Sequence, residues 1–88
     1  MKGFLQVASI NTEYSRVVEI FRTNVSDASE ANSIARNLLG HFPSCKITFD
    51  LDDCDRILRI EGRGCDINIT SILEIVKGQH YEIELIVD

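Results

Sequence analysis

A β-rich run that passes directly into an amphipathic helix places the strongest constraint on the fold of this chain. Residues 16–23 are rich in β-branched and aromatic side chains, which favours a strand. Asp27 and Glu30 form a D-x-x-E capping box that begins a helix, and Ser26 is an alternative cap. Gly40 is expected to end that helix in a left-handed conformation. Six apolar residues at three- and four-residue steps form its buried stripe: Ala28, Ala31, Ile34, Ala35, Leu38 and Leu39.

The first strand carries apolar residues on both of its faces. Val18 and Ile20 lie on one face, and Val17 and Phe21 lie on the other. A strand of this kind is typical of the middle of a sheet that is covered on both sides. The local sequence leaves open which of the two rows points inward.

A β-hairpin follows the helix. Apolar and polar residues alternate from Cys45 to Leu51, and the acidic segment 52–55 forms the turn into a third strand at residues 56–61. Closing a four-residue loop predicts a register in which apolar residues meet apolar residues and charge meets countercharge. The expected pairs are Phe49 with Leu58, Ile47 with Ile60, and Lys46 with Glu61.

A second helix and a last strand complete the chain. Gly62 and Gly64 mark a loop, after which either Asp66 or Asn68 caps the helix, which ends at residues 77–78. The buried stripe of this helix consists of Ile69, Ile72, Leu73 and Val76. The inward row of the last strand consists of Tyr81, Ile83, Leu85 and Val87.

The order β-α-β-β-α-β predicts an α+β fold, a ferredoxin-like sandwich. Two right-handed crossovers place both helices on one face of a four-stranded antiparallel sheet of order 4-1-3-2. Residues 16–88 form this domain. Residues 1–15 have an irregular apolar pattern, which fits either an N-terminal arm or an extra strand.

Composition narrows the classes of function. A net charge of −5 without a basic cluster argues against nucleic acid and anionic membranes as partners. The sequence contains neither a membrane-length apolar run nor a signal-peptide pattern, and its three cysteines fit no disulfide framework. We therefore expect a cytoplasmic protein with free thiols. Because nucleophile elbows, phosphate loops and His-Glu metal motifs are also missing from the sequence, we expect neither an enzyme nor a bound cofactor.

Three segments resemble the heavy-metal-associated domain family, which contains the small copper chaperones. They are Thr23-Asn24-Val25-Ser26, the hairpin segment 53–62, and Ile72-Leu73-Glu74-Ile75-Val76-Lys77. The resemblance covers residues 16–87 in element order and length. It implies a ferredoxin-like fold with a Cu(I) site, made by a Cys-x-x-Cys pair where the first strand meets the first helix.

This chain departs from the family at the metal motif itself. Asp27 and Glu30 occupy the two cysteine positions, so both soft ligands are replaced by hard oxygen donors. Two alternatives to copper remain: a hard cation at Asp27 and Glu30, or a transition metal at Cys54 and His80. Helix capping is the simpler role for the two carboxylates, since they alone provide too few ligands for a hard cation.

The sequence thus predicts a non-catalytic module for protein interaction or dimerisation, built on a metal-chaperone-like scaffold without copper binding. Its contact surface is expected on the sheet face that the helices leave uncovered, with Phe21, Ile57 and Ile86 as the contact residues. The alternative is that residues 1–15 fold back over this face.

Overall fold

The structure is a computed structural model that describes residues 16–87. The arm or extra strand predicted at residues 1–15 lies outside the described residues. A 3-10 turn at Gly64–Asp66 precedes the second helix. No helix in the described range is long and apolar enough to cross a bilayer. The elements are β1 (Arg16–Thr23), α1 (Ala28–His41), β2 (Lys46–Asp50), β3 (Ile57–Arg63), α2 (Ile69–Gly78) and β4 (Ile83–Leu85).

The four strands form one antiparallel sheet in the order β2-β3-β1-β4, which is 4-1-3-2 when read from the β4 edge. With its two helices, this α+β architecture is compatible with a small ferredoxin-like fold. β1 is central, as its two apolar faces indicated, whereas β2 and β4 are the edge strands.

The predicted hairpin register is confirmed. β2 and β3 pair with Phe49 opposite Leu58, Ile47 opposite Ile60, and Lys46 opposite Glu61. A slip by one residue would turn the whole apolar row of β2 away from the core, and the position of Lys46 opposite Glu61 favours the same register.

The inward row of β1 is the one that contains Phe21. This ring is fully buried, with Leu58 opposite it on β3 and Leu85 opposite it on β4. Val18 and Ile20 therefore point away from the helices. The expectation that Phe21 contacts a partner is wrong, because the side chain belongs to the core.

Helix α1 begins as predicted but ends later. Ala31, Ile34 and Leu38 are buried. Gly40 lies inside the helix, which continues to His41, and none of the described glycines has a positive φ. The Phe42 N–H donates to the Leu38 carbonyl at 2.8 Å, and Phe42 packs against the core, which explains the later end.

Helix α2 resolves the choice between two caps. The Ser71 N–H donates to Asn68 Oδ1 at 3.0 Å, so Asn68 is the N-cap. At the other end His80 is left-handed, with φ 74°, and its N–H donates to the Lys77 carbonyl. The Tyr81 N–H reaches the Val76 carbonyl, which completes a Schellman motif with histidine where glycine is usual.

The last strand is shorter than predicted. β4 covers three residues, Ile83 is buried, and Leu85 packs against the core. Val87 is 78% exposed, so its predicted inward position is wrong. On the helix side of the sheet Gly62 packs closely on Cys45, and an added Cβ would come within 3.0 Å of Cys45 Sγ.

Candidate functional site

The segment that joins β1 to α1, from Thr23 at the end of β1 to Asp27, corresponds to the position of the metal site in the family that the sequence resembles. In this chain it is hydrogen-bonded to the turn of the hairpin. Thr23 is buried, and its hydroxyl donates to the Arg56 carbonyl at 2.7 Å. The same oxygen accepts the Val25 N–H at 3.2 Å, and the Thr23 N–H donates to the Asp55 carbonyl. Thr23 therefore fixes this segment, the β1–α1 joint, through both its side chain and its backbone.

A second set of hydrogen bonds ties the joint to the start of β4. The Glu82 N–H donates to Asn24 Oδ1 at 2.9 Å, and the Asn24 N–H donates to the Glu82 carbonyl at 3.4 Å. Buried or constrained polar groups that are satisfied internally stabilise a fold but are not available to a ligand.

Asp27 and Glu30 are also used within the fold. The Ser29 N–H donates to Asp27 Oδ1 at 2.8 Å, so Asp27 is the N-cap of α1. Glu30 lies close to Tyr81: burial raises the pKa of the Tyr81 phenol, and the carboxylates of Glu30 and Asp27 raise it further. Two oxygen donors in these roles do not fit the Cu(I) that the family resemblance implies.

The structure does not place Cys54 and His80 in one cluster of ligating groups. Within the described range, the group of three or more possible ligands consists of Asp53, Cys54 and Asp55, whose ligand atoms lie within 4.8 Å of one another. Asp53 Oδ1 already accepts the Asp55 N–H at 2.8 Å, and Asp55 Oδ1 lies 3.3 Å from Arg22 Nε. The group is a turn with internal bonds on the surface.

The uncovered sheet face is mixed in character. Val18 is 47% exposed, and Ile20 neighbours Ile86, whose N–H donates to the Ile20 carbonyl at 2.9 Å. Ile57, in contrast, lies between Asp50 on β2 and Arg22 on β1. Ile57 and Ile86 therefore do not form one apolar surface, and the apolar part of this face consists of Val18, Ile20 and Ile86.

Ion pairs surround this small apolar area. Arg22 contacts Glu84 at 3.1 Å as well as Asp55, which together raise the pKa of the guanidinium. Arg16 contacts Glu61 at 3.4 Å. These charged side chains are exposed, so each pair adds little stability, and the face presents mostly polar groups to solvent.

A more apolar surface lies where α1 passes over β2, and we call it the α1–β2 flank. It combines the outer edge of β2, with which no strand of residues 16–87 pairs, and an open depression of about 510 Å³ between β2 and α1. Leu39 is 45% exposed on the helix side and adjoins the partly buried Ile47, whereas Phe49 and Leu51, also partly buried, lie further along β2. A second depression continues along the same side of α1 past Ala28 and Ala35.

Sequence reasoning missed this flank. Ala28 and Leu39 were assigned to the buried stripe of α1, but both are exposed because the sheet stops at β2. The available signal was the width of that stripe, since six apolar residues cover more of the helix than a two-helix layer on four strands can bury.

Comparisons of the chain with protein-family models, with curated proteins and with solved structures found no match. The membership in the heavy-metal-associated family therefore stays a prediction from the three sequence segments that resemble it.

Proposed function

We propose that this chain is a non-catalytic cytoplasmic protein-interaction domain that self-associates through the α1–β2 flank. The observation that carries the proposal is that, among the described strands, β2 is paired on one side only. The backbone N–H and C=O groups along a free strand edge bind an added strand readily. Partly buried Ile47 and Phe49 beside that edge provide apolar area that a contact would bury.

The flank is a better contact surface than the uncovered sheet face. On that face the apolar residues are few and surrounded by charges that are already paired. On the flank, the apolar side chains of helix and strand adjoin unused backbone hydrogen-bonding groups, so one contact would satisfy both.

Two observations support the remaining parts of the proposal. Cys54 and Cys65 are exposed free thiols, which suits a reducing compartment. Of the two carboxylates at the position of the family's metal motif, Asp27 caps the helix and Glu30 lies beside Tyr81, which suits a scaffold of the metal-chaperone type that has lost copper binding.

Leu39→Lys and Val18→Lys make a matched pair for testing this surface, because the two side chains are almost equally exposed, at 45% and 47%. We expect the wild-type chain to associate as its concentration rises from micromolar to millimolar in sedimentation equilibrium. Leu39→Lys should weaken this association roughly tenfold or more, because a lysine in the contact loses apolar burial and puts a charge where water is excluded. Val18→Lys should leave it unchanged.

The opposite pattern, with association lost in Val18→Lys and kept in Leu39→Lys, would move the contact to the uncovered sheet face and overturn the proposal. A wild-type chain that stays monomeric at millimolar concentration would also overturn it. Far-ultraviolet circular dichroism of both variants checks that each keeps the fold.

A further inference from the structure

We infer that the free edge of β2 binds β2 of a second copy in antiparallel orientation, about a two-fold axis that passes through Thr48. The inference rests on the proposed function and names its occupant and register. It starts from the chemical order of the strand, which is symmetric: basic, apolar, threonine, apolar, acidic, in Lys46-Ile47-Thr48-Phe49-Asp50.

Antiparallel pairing about Thr48 matches every residue of the strand with a suitable neighbour. Lys46 lies opposite Asp50 of the second copy, and the symmetry forms this pair twice. Ile47 lies opposite Phe49 of the second copy on the side of the helices, again twice, and the two Thr48 residues face each other.

Both charged residues are available for these pairs. Within residues 16–87 neither Lys46 nor Asp50 forms an ion pair. Glu61, which lies opposite Lys46 on β3, pairs with Arg16 instead. The carboxylate of Asp50 accepts one hydrogen bond, from the Asp52 N–H at 3.2 Å, and retains further acceptor capacity.

Other registers lack these matches. An axis through Ile47 places Thr48 opposite Lys46, and an axis through Phe49 places Thr48 opposite Asp50, so the charges remain unpaired. An axis between two residues would put helix-side residues opposite residues of the uncovered face, because side chains alternate along a strand. The Thr48 register alone pairs the charges and keeps both helix layers on one side of an eight-stranded sheet.

The charged residues of β2 do not prevent this pairing. Charged residues, lysine above all, commonly protect edge strands from pairing with other chains. Lys46 and Asp50 have opposite signs and stand at equal distances from Thr48, so an antiparallel copy of this strand pairs both charges, whereas a strand without matching charges leaves them unpaired. The helix layer agrees, since the two-fold axis places the Leu39 end of α1 beside the Leu51 end of the second copy's β2.

Charge exchange between two variants tests the register directly. Lys46→Asp carries two acidic residues on the strand, and Asp50→Lys carries two basic residues. Each variant alone replaces two attractive pairs by two repulsive ones, so we expect its dimer dissociation constant to rise roughly tenfold or more. Mixed together, the two variants should form a heterodimer about as tight as the wild-type homodimer, measured by sedimentation or by native mass spectrometry.

The matched control is Lys77→Asp, which makes the same change of charge at an exposed site on α2. This variant should keep the wild-type homodimer affinity, and its mixture with Asp50→Lys should form a weaker heterodimer than the Lys46→Asp mixture does. If Lys77→Asp pairs with Asp50→Lys as tightly as Lys46→Asp does, general charge attraction explains the pairing and the register is overturned.

Thiol cross-linking tests the position of the axis. In a Cys54→Ser/Cys65→Ser background, Thr48→Cys should form a disulfide-linked dimer with oxidised glutathione, because facing residues of paired strands lie within disulfide distance. Asp50→Cys should not, since the two introduced thiols would be about 14 Å apart along the strands. Efficient cross-linking through Asp50→Cys, or none through Thr48→Cys, would overturn the register.

The two failures are distinguishable. If Leu39→Lys weakens association while the charge and cross-linking experiments show no Thr48 register, the flank is the contact surface and only the pairing geometry is wrong. If the full chain stays monomeric, because residues 1–15 or another segment cover the edge of β2, both proposals fail.

Discussion

The β1–α1 joint and the free edge of β2 use similar residues in opposite ways. At the joint, Thr23 is buried and its hydroxyl makes two hydrogen bonds inside the chain. On β2, Thr48 is exposed in the middle of an edge strand whose outer side is unpaired among the described elements. Polar groups that are satisfied internally stabilise the fold, whereas those left free are the ones that a partner can bind.

The same substitution at the two threonines should show the largest difference between these regions. Thr23→Val leaves the Arg56 carbonyl and the Val25 N–H without their partner, which should lower the free energy of unfolding by about 2 kcal/mol. Thr48→Val removes an exposed hydroxyl and should change it by less than about 0.5 kcal/mol. Urea unfolding at a concentration where the chain is monomeric measures both; equal losses would remove the distinction.

A second matched pair compares two aspartates. Asp27→Ala removes the N-cap of α1 and should cost about 1 kcal/mol of unfolding free energy. Asp50→Ala removes a weak turn contact to the Asp52 N–H at the exposed end of β2 and should cost less than about 0.5 kcal/mol. Thermal unfolding followed by circular dichroism gives both values. A loss at Asp50 as large as that at Asp27 would mean that the end of β2 is fixed as firmly as the joint.

The smallest expected effect is a change in the pKa of Tyr81. Glu30→Gln removes a carboxylate from beside the phenol, so the pKa should fall toward its ordinary value while burial keeps it above that value. Absorbance titration in a Tyr14→Phe background follows Tyr81 alone, since these are the two tyrosines. An unchanged pKa would show that Glu30 is not in contact with the ring and is free for another ligand.

The raised pKa of Tyr81 determines how the stability of the folded state changes with pH. The folded state holds the phenol proton more tightly than the unfolded state does, so its contribution to stability is complete below pH ~10. That contribution is lost as the pH rises through the folded-state pKa. In Glu30→Gln the loss of stability at alkaline pH should therefore be smaller.

Local patterns predicted the features that depend on neighbours in sequence. The β2–β3 register followed from alternation and from Lys46 opposite Glu61, and the start of α1 followed from Asp27. The inward row of β1 did not, because both rows are apolar and the choice depends on Leu58 and Leu85, which lie far away in sequence. Element order and alternation are local properties, whereas the facing of a central strand is a tertiary one.

The candidate site was harder to predict than the fold, for a related reason. The family resemblance directed attention to Asp27 and Glu30, but a carboxylate that caps a helix and one that could bind a metal have the same sequence signal. The predicted strand order already placed β2 at an edge of the sheet, but the sequence does not show how far α1 extends beyond that edge, so Leu39 was assigned to the buried stripe although it is 45% exposed. The symmetric order of β2 is a property of the sequence, but it indicates a contact only together with the apolar flank beside that edge.

The packing of Cys45 on Gly62 makes this thiol a chemical reporter of local unfolding. Burial raises the pKa of this thiol and leaves it only 5% exposed, so we expect an alkylating reagent to react there mainly when the surrounding packing opens locally. Cys54 and Cys65 are exposed and react without any such delay. The slow third modification therefore measures how often the packing around Cys45 opens, without any introduced label.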